Sequence, residues 1–364
     1  MASIVTFEYR VNEVLKTQNG LTTKEISKAL NECPKKLYTY LINNKNYIFE
    51  NDLWYNKKNA IVITFETERS WLDEQKTEAI LKAYPNVWND DVTNITLRFI
   101  NCSILLESIS RIVAFINQLT FHNKKVTADF TSCETPFYYL CRAGVFDLIH
   151  KSVNVKPEVK DCASEFGKIK TLIEFGKIAP YSTKTELPKK LQAAFSNFTN
   201  EELAIRAFTF ISEFINNIIE HSHTPSAGFA ALQYYQGKRQ KIQTVFSDNG
   251  KGIINTLRAV LKVRYPELEE KYPQNIPHHN AELLKEVFTK GGISGADDDE
   301  YEGRGLGFKA SADKASQFNA KITIRQETFA LHLTYSDGKL SHSDVSFNLL
   351  KLNGTHIVFN IYLD

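Results

Sequence analysis

Residues 203–222, LAIRAFTFISEFINNIIEHS, constrain the fold more than any other stretch of this chain. Ile211, Phe214, Ile215, Ile218 and Ile219 recur at spacings of three and one, which puts them on a single stripe of an α-helix. Glu213, Asn217 and His221 recur every four residues on a second stripe. At about 1.5 Å of rise per residue, these three stand roughly 6 Å apart along the helix axis. The first stripe needs a sheet or another helix to cover it. The second lines up a carboxylate, a carboxamide and an imidazole along one edge, where they can face one ligand. The same row also fits a half-buried helix whose last turn sets His221 at the negative end of the macrodipole.

Three later stretches add to this. GFAALQYYQ and KIQTVFSD read as the two strands of a hairpin through GKRQ. The second strand runs into DNGKGI, Asp248 to Ile253. Gly250 and Gly252 lack a Cβ and let backbone approach a flat ring or a phosphate, and Asp248 can accept a hydrogen bond from an exocyclic amine. A plain Asn-Gly turn accounts for the same letters. Further on, EGRGLGFK sets Gly303, Gly305 and Gly307 at alternate positions, ahead of a helical pattern with Phe308, Ala312, Ala315 and Phe318. A glycine-rich turn at a helix start offers free amides and a positive dipole end to phosphates. It is neither a P-loop nor a dinucleotide fingerprint, since the spacing of the first and the strand–turn–helix order of the second are missing. The chain closes on LNGTHIVFNIYLD, a Gly-Thr followed by an alternating strand.

In this order, EFINNIIEHS, DNGKGI, GRGLGF and NGT resemble the N-box, the two glycine boxes and the last motif of the GHKL ATPases, the family of gyrase B, MutL, histidine kinases and anti-sigma factor kinases. The resemblance covers roughly residues 200–364. It implies a Bergerat-type α/β sandwich that binds ATP with Mg2+. On that resemblance Asn217 is the magnesium ligand and His221 a further N-box residue. Asp248 receives the adenine amino group, Gly250 and Gly252 let the backbone pack on the base beside Ile253, and Thr355 supports the adenine contact through water. Gly303, Arg304, Gly305, Leu306, Gly307, Phe308 and Lys309 form the loop that wraps the phosphates, with Arg304 and Lys309 as charge partners. The stretch from Ile254 to Glu302 is the ATP lid, and the acidic run Asp297–Glu300 reads as a solvated loop.

Glu213 sets the kind of chemistry the resemblance implies. It precedes Asn217 by four residues, where hydrolysing members carry their general base. A carboxylate near a γ-phosphate orients water or a serine hydroxyl. The residue therefore points to an ATPase used as a nucleotide-driven regulatory switch. Two alternatives stay open: a protein serine/threonine kinase of the anti-sigma factor type, and a non-hydrolysing nucleotide-dependent regulator that binds DNA. Many family members dimerise on nucleotide, so a nucleotide-dependent homodimer is part of the expectation.

The remaining sequence divides the chain into residues 1–60, 61–160 and 161–364, and the fold class reads as α+β. In the first part VNEVLKTQ, LTTKEISKALN and PKKLYTYLINNKNYIF read as three helices and YIFENDLWYNK as a hairpin. This order resembles a winged helix-turn-helix. Lys35, Lys36, Tyr38 and Lys45 then lie on or near its recognition helix, where they meet DNA phosphates or form a solvated face. In the second part NITLRFI, ILLESISRIVAFINQLTFHN, KKVTADFTS and TPFYYLCRAGVFDLI alternate strand and helix, a small α/β module. It resembles a STAS domain, the fold of anti-sigma factor antagonists, and so an interaction module for a protein partner. Thr131 and Ser132 in DFTSCETP depart from the phosphoacceptor pattern of those antagonists. Residues 160–200 read as a connector with helical pieces, broken at Pro180 and Pro188.

Composition bounds the rest. A net charge of +2 gives no global field for nucleic acid. Five cysteines without a Cys-x-x-Cys pair suit a reduced, cytoplasmic protein. No signal peptide is visible at the start and no apolar run is long enough to span a membrane.

Overall fold

The computed structural model describes residues 7–17, 20–50, 52–56, 59–67, 70–159, 172–178, 186–199, 227–274, 276, 278–290 and 319–363, with Glu201, Glu202, Ala204, Ile205, Ala207, Ile211, Ser212, Ile215 and Asn216. The fold is mixed α and β, with ten helices and several sheets among these residues.

The first unit is α1 (Phe7–Thr17), α2 (Thr23–Leu30), α3 (Pro34–Asn43) and a hairpin of β1 (Tyr47–Glu50) and β2 (Leu53–Asn56). Thr22 and Glu25 start α2 with a reciprocal capping box. Pro34 opens α3, where its missing N–H costs nothing. Trp54 fastens the hairpin to the helices. Its backbone bridges to Leu21, and its indole N–H donates to the Thr23 hydroxyl at 2.9 Å. Val11, Leu15, Ile26, Leu37, Leu41 and Trp54 form a core of their own. Lys35, Lys36, Tyr38 and Thr39 stay exposed on the outer face of α3.

The second unit runs β3 (Ala60–Glu66), β4 (Trp71–Leu72), α4 (Glu74–Lys82), β5 (Asn94–Ile100), β6 (Ser103–Ile104), α5 (Leu106–Phe121), β7 (Lys125–Ser132), α6 (Glu134–Arg142) and β8 (Asn154–Lys156). Strands β3, β5, β7 and β8 lie side by side in a parallel sheet. Phe65, Phe99 and Phe130 stack across it, with ring centres 4.9 and 4.2 Å apart. Of the 16 residues of α5, 14 are buried. A helix covered on one side only would expose about half of them, so α5 is covered from both sides.

The second cover is a seven-stranded antiparallel sheet. It is built from β9 (Leu172–Ile178), β10 (Gly228–Tyr235), β11 (Lys241–Ser247), β12 (Asn319–Gln326), β13 (Phe329–Ser336), β14 (Lys339–Ser346) and β15 (Thr355–Tyr362), in the order β14-β13-β12-β15-β11-β10-β9. Alternate residues serve its two faces. Phe229, Ala231, Val245 and Val358 join the core of the parallel unit around α5. Ala230, Leu232, Phe246, Ile324, Ile357 and Phe359 belong to a second core with α7 (Leu187–Phe198), α8 (Ile253–Arg264) and α10 (His279–Lys290). The short α9 (Pro266–Lys271) joins α8 to α10. The described residues of the 201–216 stretch are helical, and Ile211 and Ile215 are buried in that second core, on the apolar stripe expected for them.

Two expectations for the connector need correction. The connector does contain a helix, α7, but residues 172–178 are the edge strand β9, paired antiparallel with β10, which the connector reading lacked. Pro188 sits in the first turn of α7, where a fixed φ suits the helix, and starts structure rather than breaking it. The first part of the stretch read as a lid, up to Lys290, consists of three helices with Leu257, Leu261, Leu283, Leu284 and Phe288 buried. Among the described residues no helix is long and apolar enough to cross a membrane.

Candidate functional site

The DNGKGI and NGT stretches meet at one end of the large sheet. Strands β11 and β15 are antiparallel neighbours with Ser247 opposite His356, so the residues leaving β11 and those entering β15 share one edge. The Asp248 amide donates to the Thr355 carbonyl at 3.0 Å, extending the ladder by one rung. Gly354 has φ +88°, and a Cβ there would lie 2.1 Å from the Asp248 carbonyl oxygen. Gly252 has φ +79°, and its Cβ would lie 2.8 Å from Gln326 Oε1 and 3.0 Å from the Gly354 carbonyl. Both positions demand glycine by backbone sign and by space.

Thr355 binds these pieces together. Its hydroxyl oxygen accepts from the Ile253 amide at 3.2 Å and from Gln326 Nε2 at 3.0 Å. Gln326 Oε1 accepts in turn from the Ile254 amide at 3.3 Å. These amides open α8, whose N-cap is Gly252 and offers no side chain. Side chains of β12 and β15 therefore satisfy donors that a helix start leaves orphaned.

Asp248 is buried, with 6% of its surface exposed. One carboxyl oxygen accepts from the Gly250 amide at 2.6 Å, an Asx turn that shapes the loop. Burial pushes its pKa up to about 6, opposed by the Gly250 and Thr355 amides. A desolvated carboxylate with acceptor positions beyond these two amides suits an N–H donor on a planar ligand.

Of the residues singled out from sequence, Asp248, Gly250, Gly252, Ile253 and Thr355 are brought together. Glu213, Asn217, His221 and the run Gly303, Arg304, Gly305, Leu306, Gly307, Phe308 and Lys309 lie outside the described residues.

Behind the two loops is a layer that no motif signalled. The Ser247 hydroxyl donates to His356 Nδ1 at 2.7 Å, and His356 Nε2 donates to the Asn353 carbonyl at 2.9 Å. A carbonyl only accepts, so Nε2 carries a proton, and the neutral ring leaves Nδ1 to accept from Ser247. Burial, with Arg111 and Arg325 nearby, drives its pKa well below the usual value. Gln118, near the end of α5, donates from Nε2 to Asn249 Oδ1 at 2.8 Å and to the Asn353 carbonyl at 2.9 Å. Its Oε1 accepts from the Asn353 amide at 2.8 Å. One strand away, Arg325 is fully buried and pairs with Glu78 of α4 at 3.2 Å, and Glu78 also pairs with Arg111 of α5 at 2.8 Å. Gln118, Gln326, Arg325 and His356 were missed from sequence. Each sits among polar letters that carry no recognisable motif, and each has a partner in a different element.

Two other clusters stand apart from this edge. The thiols of Cys102 and Cys133 are 3.6 Å apart and buried beside the parallel sheet. His278, His279 and Glu282 gather at the start of α10 with ligand atoms within 4.8 Å of one another. Compared with known proteins, the chain matches no family model, no curated protein and no solved structure.

Proposed function

We propose that this chain is a magnesium-dependent ATPase of the GHKL type that serves as a nucleotide-driven regulatory switch. The observation that carries the proposal is the meeting of Asp248, Gly252, Gly354 and Thr355. They come from segments about a hundred residues apart in sequence and touch at one end of the sheet's central strands. The residues present fit a purine. A buried carboxylate can accept from the exocyclic amine, and a hydroxyl lies one step behind it.

On this reading the fold of residues 161–364 is a Bergerat-type sandwich. Asp248 accepts from the adenine amino group, and Thr355 supports that contact. Asn217 would hold magnesium, whose charge neutralises the phosphates. Gly303, Gly305 and Gly307 give backbone amides to the phosphates, with Arg304 and Lys309 beside them. Glu213 orients the attacking water as general base. The parallel module is a STAS-like partner-binding unit, and the protein works in the cytoplasm as a nucleotide-dependent homodimer.

One observation favours a DNA contact as an output. The α3 helix leads into an antiparallel hairpin tied back to Leu21, and Lys35, Lys36, Tyr38 and Lys45 are exposed on or just beyond it. This is the surface a winged helix presents to phosphates. Binding there is expected to weaken steeply with salt.

The test is phosphate release by the purified chain with magnesium and ATP, alongside calorimetric titration of ATP. Turnover that disappears in Glu213→Ala while ATP binding persists supports the proposal. Phosphate recovered on a protein serine or threonine would move the assignment to a kinase. Absence of any ATP binding by the folded chain would overturn the nucleotide reading altogether.

A further inference from the structure

Gln118 belongs to the parallel α/β module, yet its side-chain hydrogen bonds go to the two loops of the candidate nucleotide site. It is 4% exposed. A buried carboxamide is costly unless its donors and acceptor are used. Here the donors reach Asn249, next to Asp248, and the carbonyl of Asn353, next to Gly354, while the acceptor takes the Asn353 amide. The side chain thus spans the gap between the two loops and fixes it. That gap holds no slack, because Gly354 already presses on the Asp248 carbonyl.

A second tie reaches the same edge from the same module. Glu78 of α4, itself paired with Arg111 of α5, holds Arg325, whose neighbour Gln326 bonds Thr355 and the Ile254 amide. Arg325 also donates to the carbonyls of Glu327 and Leu350. The α4–α5 pair therefore grips both the β11 exit and the β12–β15 end. A displacement of α5 along the sheet would shift Asn249 and Asn353, and with them Asp248 and Thr355.

We infer that Gln118 is a positioning residue for base recognition, and that the α/β module regulates the nucleotide site through it. The inference rests on the nucleotide reading above. By reciprocity, a partner that shifts the seat of α5 changes nucleotide affinity, and bound nucleotide changes that partner's affinity by the same factor.

The test uses the full chain and two variants, Gln118→Met, which keeps the volume without the bonds, and Asn249→Ala, which removes one loop partner at a half-buried site. ATP and GTP are titrated into each protein, and amide hydrogen exchange is followed without nucleotide. In Gln118→Met, ATP affinity is expected to fall about tenfold. The preference for ATP over GTP should shrink, because Asp248 is no longer set against Thr355. The Gly250, Ile253 and Thr355 amides should exchange faster. Asn249→Ala should show a smaller change in the same direction, and the double variant less than the sum of the two. Unchanged ATP affinity, base preference and exchange in Asn249→Ala and in a folded Gln118→Met would overturn the inference. If the unaltered chain binds no ATP, the nucleotide reading falls by itself. The exchange data then judge the tie alone, and unaltered loops would overturn it.

Discussion

The carbonyl oxygen of Asp248 occupies the space where Gly354 would carry a Cβ, 2.1 Å from that position. Real non-bonded contacts do not come so close, so β11 and β15 can converge at this edge only while residue 354 has no side chain.

Gly354→Ala is therefore expected to destabilise the chain by about 3 kcal/mol, from the clash and from the loss of an allowed positive φ. Urea unfolding measures the loss. On the nucleotide reading, ATP binding should disappear in any protein that remains folded. A stability within about 0.5 kcal/mol of the parent would show that the two loops can move apart freely.

Asp248→Asn should give opposite signs for stability and binding. The carboxyl pKa is raised to about 6, so the native state holds a proton that the unfolded chain, at an ordinary carboxylate pKa, releases. Its favourable contribution is complete below about pH 4, is lost as pH rises through about 6, and leaves a penalty of about 3 kcal/mol at neutral pH. The neutral amide avoids that penalty. The variant should melt higher than the parent at pH 8 and lose this advantage at pH 4, while ATP binding collapses at both. Taking the difference between the two proteins cancels the opposite dependence of His356, whose depressed pKa removes stability as pH falls below its ordinary value. A variant no more stable than the parent at pH 8 would show that solvent reaches the carboxylate.

Thr355→Val removes the acceptor shared by the Ile253 amide and Gln326. The half-buried Ile253 amide then lacks a partner and Gln326 Nε2 keeps only the Arg325 carbonyl at 3.3 Å, a loss of about 1–3 kcal/mol. Thr355→Ser keeps the oxygen and should retain most of the stability. Equal denaturation midpoints for the Val and Ser variants would contradict this role for the hydroxyl.

Glu78→Ala leaves buried Arg325 without a carboxylate and Arg111 with Glu74 alone, at 3.1 Å. Removing one member of a buried ion pair costs about 3–5 kcal/mol. Arg325→Met leaves the Arg111–Glu78 pair intact and should cost less. Thermal unfolding of both variants checks the order, and the reverse order would mean that Glu78 is not the centre of the cluster.

Much of the fold was legible where local chemistry sets it. Thr22 and Glu25 announce the start of α2, Pro34 opens α3, and the stripe in residues 105–116 predicts α5. The hairpin ending at Asp248 and the Gly-Thr before β15 were readable too, because glycine is required there by backbone geometry. Strand β9 was not, since LIEFGKI lies in a polar stretch and becomes a strand only by pairing with β10. Gln118 was hidden for a related reason. Its letter sits in an apolar helix, and its partners are 131 and 235 residues away. No periodicity carries such a bond.

The double covering of α5 decides how the chain can be divided. A fragment starting near residue 165 would keep the large sheet but uncover Phe229, Val245 and Val358 beside the buried polar groups Gln243, His356 and Arg325. Water would satisfy the polar groups but not the apolar ones. Such a fragment should be sticky and short-lived in solution, so a truncation meant to isolate the large sheet needs the preceding hundred residues as its other half.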